Sequence, residues 1–142
     1  MRTCLIIVNA YKDECMDYGE IVKQYLETRT VRCTTFLFSD ANNTCSFEGH
    51  DFCITVGGDG TVLFAARGCA PLGIPIFPIN FGHLGFIASI QKREWMERLE
   101  DFLEDKIPYS SRSLVQANLY RENTLLRSLT GLNDMVISPK ES

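Results

Sequence analysis

The chain has 142 residues, 45% of them hydrophobic and 23% charged, with a net charge of −4. That length fits about one domain and can bury roughly two-thirds of the unfolded surface. The acidic balance argues against nucleic acid or anionic membrane as the main partner. No apolar stretch reaches the ~20 residues of a membrane-spanning helix, and "MRTCLIIVNAYKDE" has too short an apolar run for a secretion signal. A cytoplasmic protein is expected. Six cysteines, at 4, 15, 33, 45, 53 and 69, show no C-x-x-C and no zinc spacing, so they read as reduced, mostly buried thiols.

In chain order, "CLIIVN" (4–9) is an apolar run of strand length, and 13–27 carries Met16, Ile21, Val22, Tyr25 and Leu26 mostly on one helical face. "VRCTTFLF" (31–38) is β-branched and aromatic, a strand. Residues 39–50 are polar and turn-rich, an expected mobile loop. "FCITV" (52–56) is a buried strand, and 60–70 is a short helix closed by Gly68. "GIPIFPIN" (73–80) is a strand whose two prolines suit an end or an edge. Residues 92–104 form an amphipathic helix with Trp95, Met96, Leu99, Phe102 and Leu103 inward, and the acidic run 97–105 is its solvated face, with no metal cluster. This alternation implies a Rossmann-like α/β fold with a parallel sheet. The pattern then changes: 112–121 and 124–138 read as two strands joined across "REN", the second running over 129–138. They begin an antiparallel β unit that stops short. The division is set at 1–107, an α/β nucleotide-binding domain, and 108–142, the incomplete start of an all-β domain.

The stretch "DFCITVGGDGTVLFAAR" (51–67) places a carboxylate among glycines where a strand meets a helix. The first helical amides lack intrahelical partners and carry the positive end of the dipole, which suits a phosphate. Glycine lets backbone approach a ligand closely. The spacing is neither that of the dinucleotide fingerprint nor that of the P-loop. Asp59 has two readings: an N-cap accepting from the amides near Val62, or a group facing a bound hydroxyl or a Mg²⁺ near transferring phosphates. The helix N-terminus would hold it ionised and make it a weak base. Asn80–His83 and Asn133–Asp134 each read as plain turns or as site residues, since Asn and Asp inside a strand are locally unfavourable.

"VGGDGTVLFAAR" together with "IPIFPINFGHLGFIAS" (74–89) resembles the NAD kinase family. Asn80, Gly82, Leu84, Gly85 and Phe86 match its Asn-x-Gly-x-Leu-Gly-Phe pattern, and "GLNDMVIS" (131–138) resembles its Asn-Glu/Asp motif at Asn133 and Asp134. The resemblance implies phosphorylation of the 2′-hydroxyl of the adenosine ribose of NAD, giving NADP. ATP or polyphosphate would be the donor, Mg²⁺ or another divalent cation would accompany it, and no residue is assigned as a metal ligand. It makes Asp59 the proton acceptor, brings Gly60 against the dinucleotide, and has Gly57 and Gly58 shape the turn near the phosphates. It sets Asn80 at the same crevice, packs Phe86 with Ile87 near the adenine, and has Asn133 and Asp134 hydrogen-bond the dinucleotide. Phe64 departs from a position that is often polar in the family. Family members continue into a longer β-rich domain, so the chain reads as an N-terminal fragment that is inactive or nearly so alone, and as a homo-oligomer at full length. The competing expectations are a lipid or sugar kinase sharing the glycine-carboxylate loop, and a nucleotide-binding module without activity.

Overall fold

The computed structural model describes residues 1–39, 44–82, 85–132 and 134–136. The chain forms two compact units, Met1–Tyr109 and Ser110–Ser142. In the first, β1 (Thr3–Asn9), β2 (Arg32–Phe38), β3 (Phe52–Gly57), β4 (Ile76–Asn80) and β5 (Ile90–Gln91) make one sheet in the order β2-β1-β3-β4-β5. Every neighbouring pair is parallel. The helices are α1 (Asp13–Glu27), α2 (Asp59–Cys69) and α3 (Trp95–Leu103).

The period-2 alternation of the strands sorts the core into two layers. One face of β1 and β3, through Cys4, Ile6, Val8, Phe52, Ile54 and Val56, packs with Val22 and Leu26 of α1 and with Trp95, Leu99 and Phe102 of α3. The other face, Leu5, Ile7 and Cys53, meets Ala65 and Cys69 of α2. Both faces of β1 and β3 are therefore covered, which is why these runs are apolar throughout rather than alternating. Glu100 ties α3 to α1 by accepting from the Tyr25 hydroxyl and from Arg29 Nε, the latter at 2.8 Å. The thiols are free: Cys4, Cys15, Cys53 and Cys69 are buried, Cys33 and Cys45 half-buried.

Several expectations shift in detail. Gly68 does not close α2: it lies inside the helix, where the Phe47 ring fills the space a Cβ would need. The stop comes after a 3-10 turn (Ala70–Leu72), at Gly73 with φ +65. That packing also fixes part of the expected mobile loop, since Phe47 and Cys45 join the second core layer. Over its first residues β4 is an edge, because β5 pairs only with Ile79 and Asn80, and there a proline removes no needed donor. Met96 does not share the buried face of α3. It is half exposed, as expected one residue beyond Trp95, about 100° around the helix.

The second unit is a hairpin of β6 (Val115–Arg121) and β7 (Thr124–Gly131), antiparallel, with Arg121 opposite Thr124. Glu122 and Asn123 have φ of 48 and 63, the backbone of a type I′ turn. The second strand therefore starts earlier than 129 and ends at Gly131, with 134–136 outside any strand and 133, 137 and 138 outside the described residues. The Asp134 carbonyl lies 2.8 Å from where a Cβ on Gly131 would stand, so the chain has already turned back there.

Candidate active site

At the carboxyl end of β3 the chain turns through Gly57 and Gly58 into α2. Gly58 is the N-cap, and Thr61 and Val62 donate to its carbonyl at 3.0 and 3.3 Å. Asp59 is thus the first helical residue, and its side chain does not cap the helix. The cap reading is corrected by what the carboxylate does instead. Its Oδ2 accepts from the Phe86 amide at 3.0 Å, and its Oδ1 from the amides of Ile87 and Ala88 at 3.2 and 2.9 Å. Three successive amides converging on one anion form a backbone nest. The Ala88 amide foremost, helped by those of Ile87 and Phe86, holds the Asp59 carboxyl below its usual range, against a partial desolvation that pushes it up.

The four glycines of the site have different reasons. At Gly57 a side chain would collide with the Thr61 hydroxyl and lie 3.1 Å from Asn9 Cβ. At Gly85 it would occupy the place of the Asp59 carboxylate. At Gly58 and Gly60 it would meet nothing within 4 Å, so both face open space from which a ligand can approach. Packing requires the first two to be glycine; the last two leave an accessible backbone.

Asn80 sits in register with Gly57 across β3 and β4, and its Oδ1 accepts from the Gly82 amide at 3.0 Å. Phe81 donates its amide to Gly57 O at 2.8 Å. The glycine-carboxylate loop and the Asn80–Phe86 segment therefore share one edge of the sheet. Phe86 is 91% exposed, whereas Ile87 is buried at 8%, so of the two only the Phe86 ring stands open for stacking. Phe64 has packing neighbours in place of a polar partner: it stacks on Phe36 with centroids 5.5 Å apart and touches Phe38 and Phe47. His83, Leu84 and Asn133 lie outside the described residues; Asp134 belongs to the second unit.

Sequence reasoning missed Lys12, whose Nζ donates to the Phe81 carbonyl at 2.9 Å, and the role of the Ile87 and Ala88 amides. Lys12 falls just before the helix expected at 13–27 and belongs to no motif, and backbone amides carry no residue signature at all. Among the described residues no cluster of His, Cys, Asp or Glu could hold a metal ion, and no helix is long and apolar enough to cross a membrane.

The sequence pattern of the ATP-NAD kinase N-terminal domain matches residues 39–107, which contain both the glycine turn and the nest. This chain belongs to the NAD kinase family. It is 38% identical over 135 residues to the NAD kinase of Treponema pallidum (strain Nichols), covering 94% of this chain and 44% of that protein. With the NAD kinase of Treponema denticola it shares 34% over 139 residues, 97% of this chain and 49% of that protein. NAD kinase 2 of Synechocystis is 42% identical over 90 residues, 63% of this chain and 30% of that protein. The chain thus spans less than half the length of the relatives it matches.

Proposed function

We propose that this chain supplies the phosphoryl-transfer edge of an NAD kinase, acting on the 2′-hydroxyl of the adenosine ribose of NAD to give NADP. The observation that carries the reading is the Asp59 carboxylate, fixed at the sheet's carboxyl edge between two open glycines and an amide nest. A carboxylate has about four acceptor positions. Oδ1 uses two on Ile87 and Ala88, and Oδ2 uses one on Phe86. One position on Oδ2 is left for a hydroxyl.

A carboxyl held below its usual range is a poor proton acceptor in the ground state. Phosphoryl transfer, however, depends mainly on position and charge. Asp59 would orient the hydroxyl for in-line attack and take its proton late, when the oxygen has become acidic. Gly58 and Gly60 would admit the dinucleotide backbone, Phe86 would stack on the adenine, and Asn80 would brace the turn by holding Gly82. Asn133 and Asp134 would hydrogen-bond the dinucleotide. Asp59 alone, its oxygens engaged by amides, makes no metal site; a divalent cation would arrive as part of the donor's phosphate complex. The donor is ATP or polyphosphate, the setting cytoplasmic, and the full-length protein a homo-oligomer.

The test is NADP formation from NAD with Mg²⁺ and either ATP or polyphosphate. It is run on this chain and on a chimera carrying the remaining sequence of the Treponema denticola relative. NADP from the chimera supports the reading. Transfer to a diacylglycerol or a sugar in place of NAD would make it a lipid or sugar kinase, and NAD binding without transfer to any acceptor would leave a binding module.

A further inference from the structure

One charge at the carboxyl edge is not used by the reading above. Lys12, exposed at the entrance to α1, sends its ammonium from the end of β1 past β3 to the end of β4, where it meets the Phe81 carbonyl. Phe81 is also the residue whose amide holds the Gly57 carbonyl, so the ammonium and the glycine turn are one residue apart through space. The Nζ lies 3.8 Å from where a Cβ on Gly82 would stand.

Two other charged groups at this edge are engaged. Asp59 gives its carboxylate to three amides. Lys92, 5.3 Å above the Phe81 ring, is paired with Glu14. Among the described residues no carboxylate pairs with Lys12. In a chain of net charge −4, this ammonium is left facing a neutral carbonyl at the edge where Gly58 and Gly60 are open. Beneath the turn, the Thr61 hydroxyl is 1% exposed, has no hydrogen-bond partner and lies against Gly57. The first amides of α2 add donors that the helix itself cannot satisfy.

We propose that Lys12 receives the phosphate chain of the phosphoryl donor, a polyphosphate oxyanion, exchanging its bond to the Phe81 carbonyl for one to phosphate; this rests on the phosphotransferase reading. The bond to the Phe81 carbonyl has charge on the donor alone, whereas a phosphate oxyanion adds direct attraction between opposite charges, so the exchange runs toward the anion. Release of Phe81 also frees the strand end that supports Asn80 and Gly82, which couples donor binding to the turn beside Asp59.

The experiment titrates the ¹⁵N-labelled chain with sodium tripolyphosphate at low salt. It follows the Lys12 ammonium resonance and the amides of Gly57–Gly60 together. Both sets are expected to shift and saturate at one concentration. Lys12→Met should weaken binding by about tenfold or more, the size of one lost hydrogen bond to a charged group. Lys12→Arg should bind nearly as tightly as the parent, and Lys92→Met should leave binding unchanged. Shifts at the glycine amides with a silent Lys12 ammonium overturn the proposal, a result that does not depend on any variant folding. A Lys12→Met chain binding as tightly as the parent overturns it as well, and so does a titration that shifts neither set. NADP formation, measured separately, decides the phosphotransferase reading, so the two can fail independently.

Discussion

Asp59 joins two segments 27–29 residues apart, and its substitution therefore disturbs more than proton transfer. In Asp59→Asn the side chain keeps one carbonyl oxygen, and its NH₂ must face an amide donor of the nest. An active form is expected to lose about 10²–10⁴ in kcat, the usual range for one oriented proton-transfer group. KM for NAD should rise too, because the Phe86 segment is no longer held; steady-state kinetics in both parameters check this, and an unchanged KM would mean the nest plays no part in binding. Gly85→Ala separates position from identity. The added methyl takes the carboxylate's place, and the rotatable side chain can swing aside only by giving up its bonds to the three amides. Activity should fall as in Asp59→Asn, with a lowered Tm by calorimetry because the three amides lose their acceptor. The acid dependence follows from the lowered carboxyl pKa. A carboxylate favoured in the folded state contributes fully above its unfolded pKa of about 3.9 and loses that contribution as pH falls through the lower folded value. Urea unfolding from pH 7 to pH 3 should therefore weaken less in Asp59→Asn than in the parent, and Asp59 should place no acid limb on activity between pH 5 and 8.

At the level of helices and strands, the apolar runs made the βαβ order readable, because strands covered on both faces have little choice but to be apolar. What was not readable depended on distant partners. Gly68 looks like a stop signal until Phe47 is seen to need its missing Cβ, and β5 is only two residues long, too short for any period. The carboxylate among glycines was visible as an anion-site pattern, whereas its amide partners carry no side-chain signature. Two substitutions test the element-level account. Thr30, exposed just past α1, has φ 59, a left-handed conformation costing an L-residue about 1–2 kcal/mol. Thr30→Gly relieves it at some entropic cost, so a net gain of about 0.5–1 kcal/mol is expected by urea unfolding. Trp95, 2% exposed between Tyr18 and Tyr25, packs α3 against α1. Trp95→Ala should cost about 3–5 kcal/mol, as for other buried aromatics.

Over the whole molecule the two units differ in how much of their backbone is protected. In the first, β1 pairs with β2 and β3, and β3 pairs with β1 and β4, with side chains at both faces buried. In the second, two strands pair only with each other, and Leu119, Leu125, Leu126 and Leu129 are 58%, 50%, 49% and 54% exposed. A two-stranded ribbon is marginal in water by itself, and its turn is already in the favoured geometry, so what it lacks is a buried face. Amide exchange reads this directly, because protected amides report opening free energies from near zero up to the global value. The amides of β1 and β3 should exchange only through global unfolding, at about 5–15 kcal/mol. Those of β6 and β7 should exchange by local opening, faster by at least about a hundredfold, a gap of some 2.7 kcal/mol at 1.36 kcal/mol per decade. The difference should narrow in Trp95→Ala, which lowers protection of β1 and β3 while leaving the hairpin's rates where they are. Hairpin amides as slow as those of β1 would show that the second unit shares the cooperative unfolding of the first.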